Sequence, residues 1–248
     1  MQMVTPQIEN FLANSSMIRR MFEAAIELRK KYGADAVCDF SLGNPDLVPP
    51  PAIVNGLRDL VGQVERPGGL GYMPNAGYPD VREKLAEHLA REQQMPLQSE
   101  HVIITCGAAG GINAFFRAVL EAGDEVVCPA PYFVEYGFYA GNYGGVLKPV
   151  KSTPGDFRLD LAGLEAAIND KTRVMLVNSP NNPSGAVYSA DELQQLSAIL
   201  NRATAKYGRP IYLLSDEPYR FLAFDGIDVP AILPLYPYSL VIGSFSKN

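Results

Sequence analysis

Near its end the chain runs Ser239-Leu240-Val241-Ile242-Gly243-Ser244-Phe245-Ser246-Lys247, from apolar residues into hydroxyls and a single amine. Alone, a Ser-x-Ser-Lys step describes a solvated surface lysine far more often than a working one. Its company is different. Thr105-Cys106-Gly107-Ala108-Ala109-Gly110-Gly111 is a small-residue turn opening into an apolar helix. Free backbone N–H groups and the positive end of the helix dipole can hold a phosphate there, although such a turn also suits close packing of strand on helix. Pro129-Ala130-Pro131-Tyr132-Phe133 stiffens a turn beneath Tyr132, whose ring can stack on a flat heterocycle or pack into a core. Asn178-Ser179-Pro180-Asn181-Asn182-Pro183-Ser184-Gly185 holds more turn chemistry than a simple connection needs, and it presents side-chain amides. Ile211-Tyr212-Leu213-Leu214-Ser215-Asp216-Glu217-Pro218-Tyr219 is an apolar run that ends in acid.

These stretches need elements that aim them the same way. From residue 102 onward the pattern repeats strand, turn and helix, which predicts a mainly parallel sheet covered by helices on both faces. The predicted strands are 102–105, 125–128, 145–150, 173–178, 211–215 and 240–243, and the predicted helices lie near 110–121, 132–140, 160–168 and 190–206. In open α/β sheets ligands sit beyond the carboxyl ends of strands, so these ends would form one site. Upstream, an amphipathic helix follows Ser15 and Ser16 and stops at Gly33, and residues 37–41 read as a short strand entering the turn Leu42-Gly43-Asn44-Pro45-Asp46. Pro51 fits the first turn of a helix to about Val61, a glycine-rich loop carrying Tyr72 follows, and residues 78–93 read as a helix.

Composition narrows the function class. The 248 residues are 47% hydrophobic and 19% charged, enough for a sizeable core. Lys plus Arg total 21 against 27 Asp plus Glu, a net charge of −6 with no basic cluster, so no nucleic-acid partner is expected. No apolar run is long enough to span a bilayer and the first residues lack a secretory pattern, so no membrane association and a cytoplasmic location are expected. Cys38, Cys106 and Cys128 lie in or beside predicted strands and read as reduced core thiols. His88 and His101 have no metal-ligand spacing, so no metal site is expected. Gly-x-x-Gly-Gly is not a dinucleotide fingerprint, and a Walker A loop is absent, which leaves the Asp216-Glu217 strand without a phosphate cradle to serve as an ATPase.

Gly107-Ala108-Ala109, Asn182-Pro183-Ser184-Gly185, Asp216 with Tyr219, and Ser244-x-Ser246-Lys247, in that order and rough spacing, resemble the class I and II aminotransferases, which are fold-type I pyridoxal-phosphate enzymes. The resemblance runs from about Ser41 to the last residue. It implies a cofactor-binding large domain over 46–248, with residues 1–45 contributing to a small domain whose remainder lies beyond this chain. Lys247 would carry pyridoxal 5'-phosphate as a Schiff base, and Asp216 would pair with the ring nitrogen. Asn182 and Tyr219 would bind the ring's phenolic oxygen, and Tyr132 would stack on the ring. Gly107, the amides of Ala108 and Ala109, Ser244 and Ser246 would surround the phosphate, at a place where the family often has a hydroxyl instead of an alanine. Gly43 matches a substrate-carboxylate loop, with Asn182 beside the substrate, and Tyr72 matches a tyrosine that reaches the phosphate of a second subunit. The implied protein is a homodimer with shared sites that moves the amino group of an amino acid to a 2-oxo acid such as 2-oxoglutarate. The family's arginine for the substrate carboxylate follows the lysine, so the sequence reads as part of a longer protein. A carbon-sulfur or other lyase of the same fold would use the same residues, and a pyridoxal-phosphate-sensing regulatory domain is the non-enzymatic rival.

Overall fold

The computed structural model describes residues 3–13, 17–40, 43, 47–67 and 69–247, and the chain divides into two compact units, Met1–Tyr72 and Met73–Asn248. The first unit is helical: α1 (Pro6–Ala13), α2 (Met17–Tyr32) and α3 (Pro51–Val64). Pro51 sits in the first turn of α3, where its missing N–H has no intrahelical acceptor to lose. At the end of α2, Gly33 takes a φ of 91° and its N–H closes on the Arg29 carbonyl at 2.9 Å. Helix α1 was not foreseen from the sequence. Of the strand expected at 37–41, residues 37–40 are described and form none: a 3-10 turn spans Ala34–Ala36 and residues 37–40 have no ladder partner, while Ser41 lies outside the described residues. A strand needs a neighbour for its backbone groups, and among the described residues this unit contains helices alone. Ser15, Ser16 and most of the turn around Gly43 lie outside the described residues; Gly43 itself is exposed.

In the second unit, α4 (Pro79–Glu92) and α5 (Gly107–Val119) precede strand β1 (Glu125–Ala130). Then follow α6 (Glu135–Gly141), β2 (Val146–Lys151), α7 (Leu161–Ala167), β3 (Thr172–Asn178), α8 (Ala190–Tyr207), β4 (Tyr212–Asp216) and β5 (Ser239–Ile242). The five strands form one sheet in the order β2-β1-β3-β4-β5, every pairing parallel. This is the α/β architecture expected, and the middles of its central strands, Val126–Cys128 and Val174–Val177, are apolar because both faces are covered. Side chains alternate across the sheet. Val127, Met175, Val177 and Leu213 pack with α7 and α8 on one face, while Val126, Cys128, Val174, Leu176, Leu214 and Ile242 pack with α5 and α6 on the other. Edge strand β2 tolerates Pro149 because one row of its backbone groups needs no partner.

Local signals set the boundaries. Ser189 and Glu192 form a capping box at the start of α8, and Gly208, at a φ of 68°, ends it. The strand expected at 102–105 is a correction, because this segment is extended without joining the sheet. Its backbone groups are taken locally: Ile104 N–H donates to the Ala76 carbonyl (2.9 Å), and the Val102 carbonyl accepts from Arg82 Nε (2.8 Å). Only glycine fits at 77, where φ is 100° and a Cβ would overlap Ile104. The cysteines need correcting too. Cys128 is buried on β1, but Cys38 and Cys106 are exposed, because the strands expected to bury them do not form.

Candidate functional site

Parallel strands put their carboxyl ends on one edge of the sheet, and α5, leading back toward the start of β1, brings its own N-terminus to that edge. A Cβ placed on Gly111, in the first turns of α5, would stand 3.4 Å from the side chain of Ile242, the last residue of β5. The edge therefore collects the turns after β1, β3, β4 and β5 together with the N-terminal turn of α5.

Asp216 closes β4, opposite Asn178 on β3 and Ile242 on β5. It is buried, and its main chain is clamped by Asn178, whose Nδ2 donates to the Asp216 carbonyl at 2.8 Å. One carboxylate oxygen, Oδ2, accepts a 2.5 Å hydrogen bond from the hydroxyl of Tyr136 on α6. The other, Oδ1, is buried without a partner. Burial pushes the carboxyl up to about 6; the Tyr136 bond pulls it down and neighbouring Glu217 pushes it up. A buried, unpartnered carboxylate oxygen is costly unless something fills its place. A protonated ring nitrogen has the right charge to do so, and the unmatched carboxylate oxygen of Asp216 fits the ring of pyridoxal phosphate.

Asn178 also holds the loop beyond β3. Its Oδ1 accepts from the Asn182 N–H at 2.7 Å, and in the same loop Asn181 Oδ1 accepts from both the N–H and the hydroxyl of Ser184. The Asn182 side chain lies close enough to the Tyr219 phenol to act on it. Burial and the Asp216 charge push that phenol above its usual range, and the Asn182 amide works against them. Asp216, Asn182 and Tyr219 are thus brought together. Tyr132, just past β1, is half-buried with its ring packed on the α5/α6 face of the core.

The α5 turn is open. Gly107 has a φ of 67° and opens the helix, Ala108 is half-buried and Ala109 exposed, and first-turn N–H groups have no intrahelical acceptor. Beyond β5, the Ser244 hydroxyl donates to Ser246 Oγ (2.9 Å) and accepts from the Ser246 N–H (3.1 Å), folding the tight turn Phe245–Lys247 that carries the amine. Lys247 is half-buried and Ser246 exposed. Tyr72, the last residue of the first unit, is fully exposed.

Sequence reasoning missed Tyr136 and Asn178 as members of the site. Asn178 was noted only as the start of a loop. Tyr136 had a faint signal: in the predicted 132–140 helix it stands one turn after Tyr132 and one before Ala140, and a tyrosine on an inward face needs a partner for its hydroxyl. Glu217, by contrast, belongs to a structural clamp. Its Oε1 accepts from Ser215 Oγ (2.7 Å), and its Oε2 accepts from Arg220 Nη1 (2.7 Å) and Gln93 Nε2 (3.3 Å).

Comparison with known proteins identifies the family. The sequence profile described as aminotransferase class I and II matches residues 35–248. The aspartate/prephenate aminotransferase of Thermus thermophilus is 36% identical over 203 residues, covering 82% of this chain and 50% of that protein. An amino transferase structure from Eubacterium rectale superposes with a TM-score of 0.91 at 35% identity, covering 99% of this chain and 62% of that one. An aspartate aminotransferase structure from Thermus thermophilus with maleate gives a TM-score of 0.84 at 30% identity, covering 100% of this chain and 61% of that one. The chain spans about half the length of the curated relatives it matches. Among the described residues, no helix is long and apolar enough to cross a membrane.

Proposed function

The chain belongs to the class I and II aminotransferases, a pyridoxal-phosphate-dependent family, and from that premise we propose that the full-length protein moves the amino group of an L-amino acid to a 2-oxo acid, with Lys247 carrying the cofactor. The observation that carries this reading is Asp216: a buried carboxylate with one oxygen held and the other vacant, on the edge where a lysine emerges from the neighbouring strand.

When bound, the cofactor supplies an electron sink for the bond broken at the substrate α-carbon. The chain supplies the rest. Asp216 Oδ1 keeps the ring nitrogen protonated, and the Asn182 amide and Tyr219 hydroxyl bind the phenolic oxygen. Tyr132 covers a ring face. The N–H groups of Gly107, Ala108 and Ala109, with the hydroxyls of Ser244 and Ser246, meet the phosphate at the positive end of α5. Lys247, an amine on a flexible stem, would serve as the group that accepts the proton of the substrate α-carbon and later donates it. Asn182 faces the substrate. Tyr72 reaches the phosphate of a second copy, so the protein works as a cytoplasmic homodimer. Residues 1–45 belong to a small domain and 46–248 to the cofactor-binding one. The relatives' names make L-aspartate the first donor to assay, with 2-oxoglutarate offered as acceptor.

In single-turnover spectra of the full-length protein, L-aspartate should convert the bound pyridoxal form to the pyridoxamine form. An added 2-oxo acid should reverse this with no free ammonia, and borohydride reduction should leave the cofactor's mass on Lys247. Ammonia release without the pyridoxamine form would instead identify a lyase, and a label on another lysine would end the assignment.

A further inference from the structure

We infer that Tyr136 is a positioning residue for the reaction: by holding Oδ2 of Asp216 it turns Oδ1 toward the place of the cofactor's ring nitrogen. This rests on the function proposed above. A carboxylate at a strand end keeps one soft torsion after its main chain is fixed, since the last torsion of Asp is broad and roughly two-fold. Asn178 fixes the main chain at 2.8 Å, and the torsion is settled by the Tyr136 hydroxyl at 2.5 Å. That hydroxyl is itself immobile. Tyr136 is 1% exposed, and its ring meets Phe133 edge-to-face at 5.6 Å. Ala140, one turn further along α6, is also buried in the same cluster.

The charges around Asp216 give the contact its direction. Burial and the adjacent Asp216 charge hold the Tyr136 phenol far above its usual range, so it stays protonated and donates. Cys128 on β1, pushed up to about 12 by burial, is a neutral thiol. Tyr139 on α6 and Tyr219 beyond β4 also feel the Asp216 charge, and both are pushed upward, hence neutral. Glu217 repels it from the neighbouring position. Of the groups acting on the carboxyl, burial and Glu217 favour the neutral acid, and the Tyr136 hydrogen bond favours the anion that pairing with a ring nitrogen requires.

The test uses the full-length holoenzyme. Tyr136→Phe removes only the hydroxyl, and should lower kcat about 10- to 100-fold, the worth of a hydrogen bond to a charged group, with KM for the amino acid nearly unchanged and the cofactor still trapped on Lys247. In an Asp216→Asn background the same change should do nothing further, because Tyr136 acts through that carboxylate. A second readout needs no turnover: in protein stripped of cofactor, the infrared carboxyl titration assigned to Asp216 should move to higher pH in Tyr136→Phe. Should that variant not fold, 3-fluorotyrosine at 136, a stronger donor of the same shape, should move the titration to lower pH. An unchanged kcat and titration, or an equal loss in the Asp216→Asn background, overturns the inference. A wild-type protein without cofactor on Lys247 overturns the function instead, while the titration still decides the Tyr136–Asp216 contact.

Discussion

On one side of the β4 end, Glu217 has both oxygens in use: the Ser215 hydroxyl on Oε1, and the Arg220 guanidinium with the Gln93 amide on Oε2. Arg220 also donates to the Glu92 and Val229 carbonyls, and Gln93 Oε1 accepts from the Ile232 N–H, so this acid ties the end of α4 to the chain before β5. On the other side, Asp216 is equally buried, but one oxygen has no partner and none of the described residues sets a cation against it. Consecutive residues of an extended chain point to opposite faces, so two alike acids meet opposite surroundings. A buried acid whose oxygens are all matched serves the fold, whereas one with an unmatched oxygen is free to take a cation as partner.

The largest expected effect separates the two by activity. Asp216→Asn should lower turnover of the full-length enzyme by orders of magnitude while cofactor is still trapped on Lys247, and steady-state rates beside borohydride labelling measure both. Near-normal turnover would place Asp216 with Glu217 as a structural acid. Next, Glu217→Gln should act in the opposite sense: breaking a buried, partnered ion pair costs ~3 kcal/mol or more, read by urea unfolding, with kcat per folded molecule within a few-fold of wild type. A large loss of kcat at unchanged stability would break the comparison.

The smallest effect is a pH dependence. The ordinary Asp value is 3.8 and burial raises Asp216 to about 6, so over this window the unfolded chain holds fewer protons than the folded one. Stability of the cofactor-free protein should fall as pH rises from about 4 to about 6 and then level, a loss of order 3 kcal/mol at most by the usual conversion. Glu217 is also raised, so it adds a slope of the same sign. Asp216→Asn should flatten the curve without abolishing the Glu217 part, as unfolding series at several pH values would measure. Because lowered acids such as Glu192 add a slope of the opposite sign, the difference between the two curves is the measure, and no difference would mean that Asp216 already has a favourable partner.

Much of the fold was legible because its causes are local. Apolar runs long enough for covered strands, the Ser189-to-Glu192 capping box, Gly208 and the prolines opening α3 and α4 mark these elements to within about three residues. The strand ends that gather at one edge were legible too, since a parallel sheet sends every carboxyl end the same way. The misread strands at 37–41 and 102–105 failed for the complementary reason. Extended-looking sequence becomes a strand only when a neighbour accepts its backbone groups, and Ala76 and Arg82 took those of 102–105 first.

By itself the sequence determined the helices, the covered parallel strands and which residue types stand at their ends, because propensity, capping and side-chain alternation act over a few neighbouring positions. Only the tertiary structure decided that Tyr136 would meet Asp216 across eighty residues of chain and that Glu217 would be matched by Gln93 and Arg220. Those contacts depend on the strand order β2-β1-β3-β4-β5 and on which face each residue takes. A shift of one residue exchanges the faces, and nothing in the local pattern names the helix that will lie there.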